Sequence, residues 1–194
     1  MGGVGIDRPK RADVPSTLCL IRHGDAGDPS LNRLRDAERA LSDKGRRQAR
    51  SAGKALKRLG LLPSAVWASP LRRAEETAKI AARVAKTAER ETTVALSPDA
   101  DPAAIVRLLA ATPASRATRA LPHEEEPVVR WLVGHEPHLS RLVHHLTGVP
   151  PAGLRFAKGA VAIVEVAHGL AAGAGRLTAF LPPSALRGIR RGAK

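Results

Sequence analysis

The chain has 194 residues, enough for one domain with a core of ordinary size. It carries 32 Lys and Arg against 18 Asp and Glu, a net charge of +14, but only 2% of its residues are aromatic. Because single-strand nucleic-acid binders combine a positive groove with aromatic rings that stack on bases, this composition does not favour that class. No run approaches the ~18 apolar residues of a membrane helix, and the first sixteen residues do not resemble a signal peptide. A cytoplasmic protein without membrane contact is therefore expected.

The first half of the chain alternates between strand and helix patterns. The predicted elements are a strand at "TLCLI" (17–21), a helix within "LSDKGRRQARSAGKALKRLGLLP" (41–63), a strand at "AVWAS" (65–69) and a helix within "PLRRAEETAKIAARVAKTA" (70–88). Ser42 is a candidate N-cap for the first helix, and Gly60 is a candidate stop.

The second half continues the alternation. Its predicted elements are strands at 92–96, 127–134, 159–166 and 176–181, and helices at 101–111 and 137–148. Asp101 is the expected cap of the first of these helices, with Pro102 at its first position. This order predicts a three-layer α/β/α sandwich with a mostly parallel sheet, in which the last two strands lie at an edge.

The expected organisation is one domain with short flanking segments. Residues 17–183 form the predicted domain, residues 1–16 a flexible N-terminal extension and residues 184–194 a solvated basic tail. The Pro-, Ala- and Ser-rich segment 112–127 is expected to be a surface loop. Within the core we expect Cys19, which has no partner for an internal disulfide, and Trp67, whereas Trp131 is expected to be in the core or half-buried.

Polar residues follow several predicted strands, where parallel sheets build their sites. The candidates are Arg22, His23, Arg72 or Arg73, and His135, with Asp25, Asp99, Asp101 and Glu136 nearby. Guanidinium groups match phosphate oxygens in pairs, and a neutral imidazole can attack phosphorus. Two histidines and two arginines therefore predict phosphoryl transfer.

Four ordered segments extend this prediction: "LIRHGDA", "LSDKGRRQA", "WASPLRRAEETA" and "WLVGHEP". In order and spacing they resemble the histidine phosphatase superfamily, also called phosphoglycerate mutase-like, over about residues 17–181. "RHGDA" and the GHxP pattern look most like the SixA branch of phosphohistidine phosphatases.

The resemblance implies roles for individual residues. His23 would be the nucleophile that becomes phosphorylated, with Arg22, Arg73 and His135 in the phosphate pocket, and the S-x-L-x-R-A pattern selects Arg73 over Arg72. It also implies that no metal or other cofactor is needed. Many members carry an acid that protonates the leaving group; the possible acids here are Asp25, Asp99 and Asp101.

The implied function is a metal-independent phosphatase that acts through a phosphohistidine intermediate, with protein phosphohistidine as the expected substrate. One alternative is a broad phosphomonoesterase acting on small phosphorylated molecules. Another is a basic protein of the same fold that holds nucleic acid or polyphosphate, although the intact set of Arg22, His23, Arg73 and His135 argues against a pure binding protein.

Structural interpretations compete with several of these assignments. His23 could simply cap a strand end, and Arg73 could be a solvated helix residue paired with Glu76 or Thr77. A metal site at His135 and His138, with His144 and His145, is disfavoured because Pro137 interrupts the spacing and HExxH is absent; the last three are expected to be ordinary polar helix residues. The basic residues between 44 and 58 are expected to form mostly a solvated helix face rather than a docking surface.

Overall fold

The computed structural model describes residues 15–28, 36–86, 90–112, 127–167 and 169–191. The strands are β1 (Ser16–Arg22), β2 (Ala65–Ala68), β3 (Arg90–Thr92), β4 (Val128–Gly134), β5 (Val161–Val166) and β6 (Gly175–Leu181). The helices are α1 (Asp43–Arg58), α2 (Arg72–Ala85), α3 (Pro102–Ala111), α4 (His138–Thr147) and α5 (Pro183–Arg191). Across the described residues, no helix has the length and apolar character needed to cross a bilayer.

The strands form one sheet in the order β3-β2-β4-β1-β5-β6. Strands β3, β2, β4 and β1 are parallel, whereas β5 runs antiparallel to β1 and β6 antiparallel to β5. The predicted mostly parallel sheet is confirmed, and the antiparallel hairpin lies at one edge as expected. Parallel strands require covering layers on both faces, because each connection crosses over the sheet.

Alternating side chains of β1 supply both halves of the core. Leu18 and Leu20 pack into an apolar cluster with α3 and α4, whereas Cys19 and Ile21 pack into a second cluster with α1, α2 and α5. All four side chains are fully buried. The period of two along a strand therefore divides one apolar run between the two faces of the sheet, which gives the predicted three layers.

Local signals set most of the helix boundaries correctly. The Ser42 side chain accepts a hydrogen bond from the Gly45 amide at the start of α1. The Asp101 side chain accepts one from the Ala103 amide at the start of α3, which has Pro102 as its first residue. Both predicted caps are confirmed, and each satisfies an amide that lacks a partner within the helix.

The strand predicted at 92–96 was wrong in position. Strand β3 covers Arg90–Thr92, and Val94–Leu96 forms a short 3-10 turn instead. The Thr93 hydroxyl accepts a hydrogen bond from the Ala95 amide and so caps this turn. Pairing with the neighbouring β2 selects the exposed, charged edge segment over the more apolar one, so tertiary context overrides intrinsic strand propensity.

The solvated tail predicted at 184–194 was wrong over its described residues, since residues 183–191 form α5. Leu186 is fully buried against the α1 and α2 layer, and Ile189 packs beside it. These two apolar positions, three residues apart, lie on one face of a helix whose sequence also contains three arginines. The expectations for 1–14, 113–126 and 192–194 fall outside the described residues.

Helices α1 and α2 approach closely through small residues. A methyl group at Gly53 of α1 would lie 2.7 Å from the Ala81 carbonyl oxygen of α2.

We therefore expect Gly53→Ala to lower the free energy of unfolding by about 1–3 kcal/mol, because the backbones would have to separate. Gly188→Ala in α5 is the matched control, since a methyl group there meets nothing within 4 Å. The control should be neutral or more stable by up to about 1 kcal/mol, as is usual for Gly→Ala in a helix. Urea titrations of both variants would test this, and equal effects would contradict it.

Candidate active site

The site begins where β1 and β4 end side by side. Arg22 pairs with Gly134 in the parallel register, so His23 and His135 emerge together at the carboxyl edge of the sheet. The His23 amide donates to the Gly134 carbonyl at 3.0 Å, and the two imidazole centroids are 4.9 Å apart. The side chains are largely enclosed, with 6% and 2% of each residue exposed. The register of two neighbouring strands thus brings together histidines 112 positions apart in the sequence.

One hydrogen bond fixes the chemical state of His23. Its Nδ1 lies 2.7 Å from the carbonyl oxygen of Gly24. A carbonyl oxygen can only accept, so Nδ1 carries the proton and Nε2 keeps the lone pair. Nε2 is therefore the nucleophilic atom of the neutral ring.

Two glycines make the turn after His23 possible. A Cβ atom at Gly24 would lie 2.6 Å from the Gly45 carbonyl oxygen, and one at Gly45 would lie 2.1 Å from the Asp25 carbonyl oxygen. The start of α1 therefore packs directly on the backbone that follows β1. This contact explains why "RHG" and "LSDKG" occur together, because each motif supplies one of the glycines.

Helix α2 is connected to the same turn and carries Arg73. The Gly24 amide donates to Thr77 Oγ1 at 3.0 Å, and that hydroxyl donates to the Arg73 carbonyl at 2.7 Å. The Arg73 side chain is 6% exposed, and its guanidinium contacts Asp36, with Nη2 3.1 Å from the carboxylate and Nη1 2.8 Å from the carbonyl. Arg72 instead lies on the surface, 56% exposed and paired with Glu76. The charge of Arg73 acts on both His23 and His135, whereas Arg72 points to the surface.

Arg22 lies against the segment that precedes β5. Its guanidinium donates to the Phe156 carbonyl, and its backbone amide donates to Ala160 at 3.0 Å. A cleft of about 370 Å³ opens here, lined by Arg22, Glu136 and residues 154–157. Arg22 is thus held at the edge of a cavity next to the two histidines.

Burial keeps both imidazoles neutral. Desolvation, with smaller contributions from the charges of Arg73 and Arg22, lowers the pKa of His23 to about 4, although the hydrogen bond to the Gly24 carbonyl partly opposes the shift. Desolvation and the neighbouring His23 lower the pKa of His135 to about 3. Burial also lowers the pKa values of Arg22 and Arg73, although both remain far above neutrality. The site therefore combines two neutral bases with two permanent cations.

Several buried polar atoms of this group have no hydrogen-bond partner within the described parts of the chain. They are Nε of Arg22, Nε of Arg73 and both ring nitrogens of His135. Buried donors are costly unless they are paired, and such groups concentrate at binding sites. Donors held around His23 are suited to the oxygens of a phosphoryl group.

The carboxylates predicted as acids occupy different positions. Asp25 contacts Lys158 at 2.9 Å and Ser42 at 2.7 Å, and these hydrogen bonds lower its pKa to about 2. Asp25 is therefore ionised at neutral pH and has no proton to donate. Asp99 is exposed. Asp101 caps α3, and the Ala103 amide helps to lower its pKa.

The pKa of Glu136 is shifted upwards, in the opposite direction to that of Asp25. Its Oε2 accepts a hydrogen bond from Ser140 at 2.8 Å, whereas its buried Oε1 has no partner among the described residues. Burial raises the pKa of this carboxyl group, although the charge of Arg22 partly opposes the shift. Sequence analysis placed Glu136 near the site but gave it no role.

The surroundings of three further side chains, Arg73, Asp25 and His138, could not be predicted from the sequence. Asp36, which holds Arg73, lies in a segment without a recognisable motif, and Lys158, which holds Asp25, is 133 residues from it in sequence. His138, expected to be an ordinary polar residue, is fully buried with both ring nitrogens unpaired within the described structure. Among the described residues, no three His, Cys, Asp or Glu side chains are grouped to hold a metal ion.

Solved structures share this architecture. The protein histidine phosphatase SixA complexed with tungstate is 24% identical, with a TM-score of 0.70 over 88% of this chain and 99% of its own. A SixA protein from Nakamurella multipartitia is 24% identical, with a TM-score of 0.66 over 87% and 96%. Phosphoglycerate mutase from Plasmodium falciparum is 15% identical, with a TM-score of 0.58 over 87% and 91%. The phosphoglycerate mutase-like fold is thereby confirmed.

The family comparison rests on sequence. Residues 18–97 match the histidine phosphatase superfamily, branch 1, and this stretch contains Arg22, His23 and Arg73. His135 lies beyond the matched stretch and joins these residues through the pairing of β4 with β1. The resemblance to the histidine phosphatase superfamily is thus confirmed for residues 18–97, which contain three of the four motifs, and the fold is that of the SixA structure.

Proposed function

We propose that this protein is a phosphatase that uses His23 as its nucleophile and removes phosphate from phosphohistidine in proteins. The observation that carries the proposal is a neutral His23, in contact with His135 and flanked by Arg22 and Arg73. The superfamily match and the likeness to the protein histidine phosphatase SixA support a phosphatase reaction. That the substrate is a phosphorylated protein is proposed in addition to the phosphatase reaction.

The reaction proceeds in two transfers. Nε2 of His23 attacks phosphorus, an N–P bond forms, and the bond from phosphorus to the leaving group breaks while that group takes up a proton. Water then attacks the phosphohistidine, loses a proton and releases inorganic phosphate, which restores the neutral imidazole. The pKa of about 4 keeps the His23 lone pair available at neutral pH without a separate base.

Fixed positive charge lowers the barrier of both transfers. Arg22, Arg73 and the single ring N–H of neutral His135 would donate to the non-bridging oxygens, whose charge must be stabilised during transfer. Arg73 is pre-oriented by Asp36, so little reorganisation is required when the substrate binds. For the leaving group we propose Glu136 as the proton donor, because its carboxyl group lies in the cleft beside Arg22 and its raised pKa favours the protonated form.

Removal of the nucleophile tests the reaction. His23→Ala should abolish release of phosphate from both an aryl phosphate and a phosphohistidine-bearing protein, with EDTA present throughout, and no phosphoenzyme should form. Circular dichroism would show that the variant is folded. Release that persists in His23→Ala would overturn the mechanism. Comparable turnover of many small esters would favour a broad phosphomonoesterase, and retention of polyphosphate without turnover would favour a binding protein.

A pair of adjacent arginines tests the phosphate pocket. Arg73→Gln should lower kcat/KM for the aryl phosphate by about 100- to 1000-fold, since it removes a donor to the developing charge. Arg72→Gln, at the exposed neighbouring position, should change kcat/KM by less than about twofold. Steady-state kinetics at one pH would measure both variants. Equal losses would show that Arg73 has no special role.

Leaving groups of different acidity test Glu136. Glu136→Gln should lower kcat for an alkyl phosphate by about 100-fold or more, but kcat for p-nitrophenyl phosphate by less than about threefold. The wild-type alkyl activity should be present below the raised pKa of Glu136 and decline as the pH rises through it, because the donor acts in its protonated form. The variant should lose that decline. An equal loss of activity on both substrates would identify a structural role instead.

A further inference from the structure

Five basic side chains line a groove between α1 and α5. We call this the basic groove and define it by Lys44, Arg47, Arg50, Lys54 and Arg187; its volume is about 280 Å³. Gly159, Pro183 and Leu186 line it between the charged side chains. The groove exists because Leu186 anchors α5 against the α1 layer, the packing that sequence analysis did not foresee.

The charge in this groove is not compensated. Within the described parts of the chain, none of its five cations forms an ion pair. The nearby acidic groups are already engaged, since Asp43 pairs with Arg46 at 3.3 Å and Asp25 with Lys158 at 2.9 Å. Five like charges around one groove repel each other and attract an anionic ligand.

The groove leads towards the catalytic residues. A neighbouring cleft of about 640 Å³ shares Lys44, Gln48 and Arg187 with it and extends to Asp25 and Lys158. Gln48 accepts a hydrogen bond from the Asp25 amide at 2.8 Å, two residues after His23. A ligand in the basic groove therefore lies next to the segment that carries the nucleophile.

The spacing of the charges fits an extended acidic peptide. Lys44, Arg47 and Lys54 follow one face of α1. Lys44 and Arg47, three residues apart, are about 5–6 Å from each other, and Arg47 and Lys54, two turns apart, are about 10–11 Å from each other along the axis. Along the axis, Lys44 to Lys54 spans about 15 Å. An extended peptide places every second side chain on one face, about 6.6–6.8 Å apart. The described lining contains no aromatic residue on which a nucleic-acid base could stack.

We propose that the basic groove binds an extended acidic segment of the phosphoprotein substrate and so presents its phosphohistidine to His23. This inference rests on the proposed function for its substrate, but binding in the groove can be tested separately from turnover. It assigns to the basic face of α1 a docking role rather than simple solvation.

The first experiment measures binding alone. The probe is a fluorescein-labelled peptide of alternating glutamate and alanine, titrated at low ionic strength with fluorescence anisotropy. The groove variant is Arg47→Gln, Arg50→Gln, Lys54→Gln; the matched control is Lys79→Gln, Arg83→Gln, Lys86→Gln on and just beyond α2, which removes the same charge from exposed positions. The groove variant should bind about tenfold more weakly than wild type, and the control within about twofold. Equal weakening in the two variants would overturn the proposal, as would loss of affinity for inorganic polyphosphate but not for the peptide.

The second experiment measures turnover of two matched peptides. Each carries one phosphohistidine, flanked by alternating glutamates in one and by alternating glutamines in the other. Wild type should have a kcat/KM about tenfold higher for the glutamate peptide, and the groove variant should lose this preference while its activity on the glutamine peptide stays the same. A preference that survives in the groove variant would contradict docking. If neither peptide is hydrolysed but anisotropy shows groove-dependent binding, the proposed function fails and the docking site stands.

Discussion

The site depends on one backbone contact, between the turn after β1 and the first turn of α1. Gly24 and Gly45 are both required, because a Cβ at either position would lie within 2.6 Å of a carbonyl oxygen of the other segment. The contact brings Gly24 within reach of Thr77, whose hydroxyl in turn binds the Arg73 carbonyl. In the same turn, the Gly24 carbonyl accepts a hydrogen bond from Nδ1–H of His23. The end of β1, His23 and Arg73 are therefore all positioned by this one close backbone contact.

Burial then determines the chemistry at that position. Histidines at a solvated edge would be partly protonated near neutral pH, whereas enclosure between the arginines lowers the pKa values of His23 and His135 to about 4 and about 3. The same desolvation acts in the opposite direction on a carboxylic acid, so the pKa of Glu136 rises. Desolvation thus favours the uncharged form of both the histidines and Glu136. Asp25 escapes this effect because Lys158 and Ser42 stabilise its charged form.

The packing of α5 concentrates part of the chain's positive charge in one place. A net charge of +14 is compatible with nucleic-acid, polyphosphate or protein partners, and composition alone cannot distinguish them. With Leu186 buried, α5 lies along α1, and cations that would otherwise be dispersed over two helices surround one groove near His23. Long-range attraction to an anionic partner would thereby be directed to the side of the molecule that carries His23.

The sequence by itself determined the alternating order of strands and helices, their caps and the residues around His23. These features rest on periodicity, capping side chains and short motifs, all of which act between near neighbours in the chain. Only the tertiary structure placed β3 two residues early, ordered α5, and gave Arg73 its partner Asp36 and Asp25 its partner Lys158. Edge-strand pairing, burial of a short amphipathic helix and long-range ion pairs depend on which distant segments meet, and no local pattern encodes that. The pKa values of the site residues also depend on the tertiary structure, because desolvation is a property of the folded surroundings and not of the residue itself.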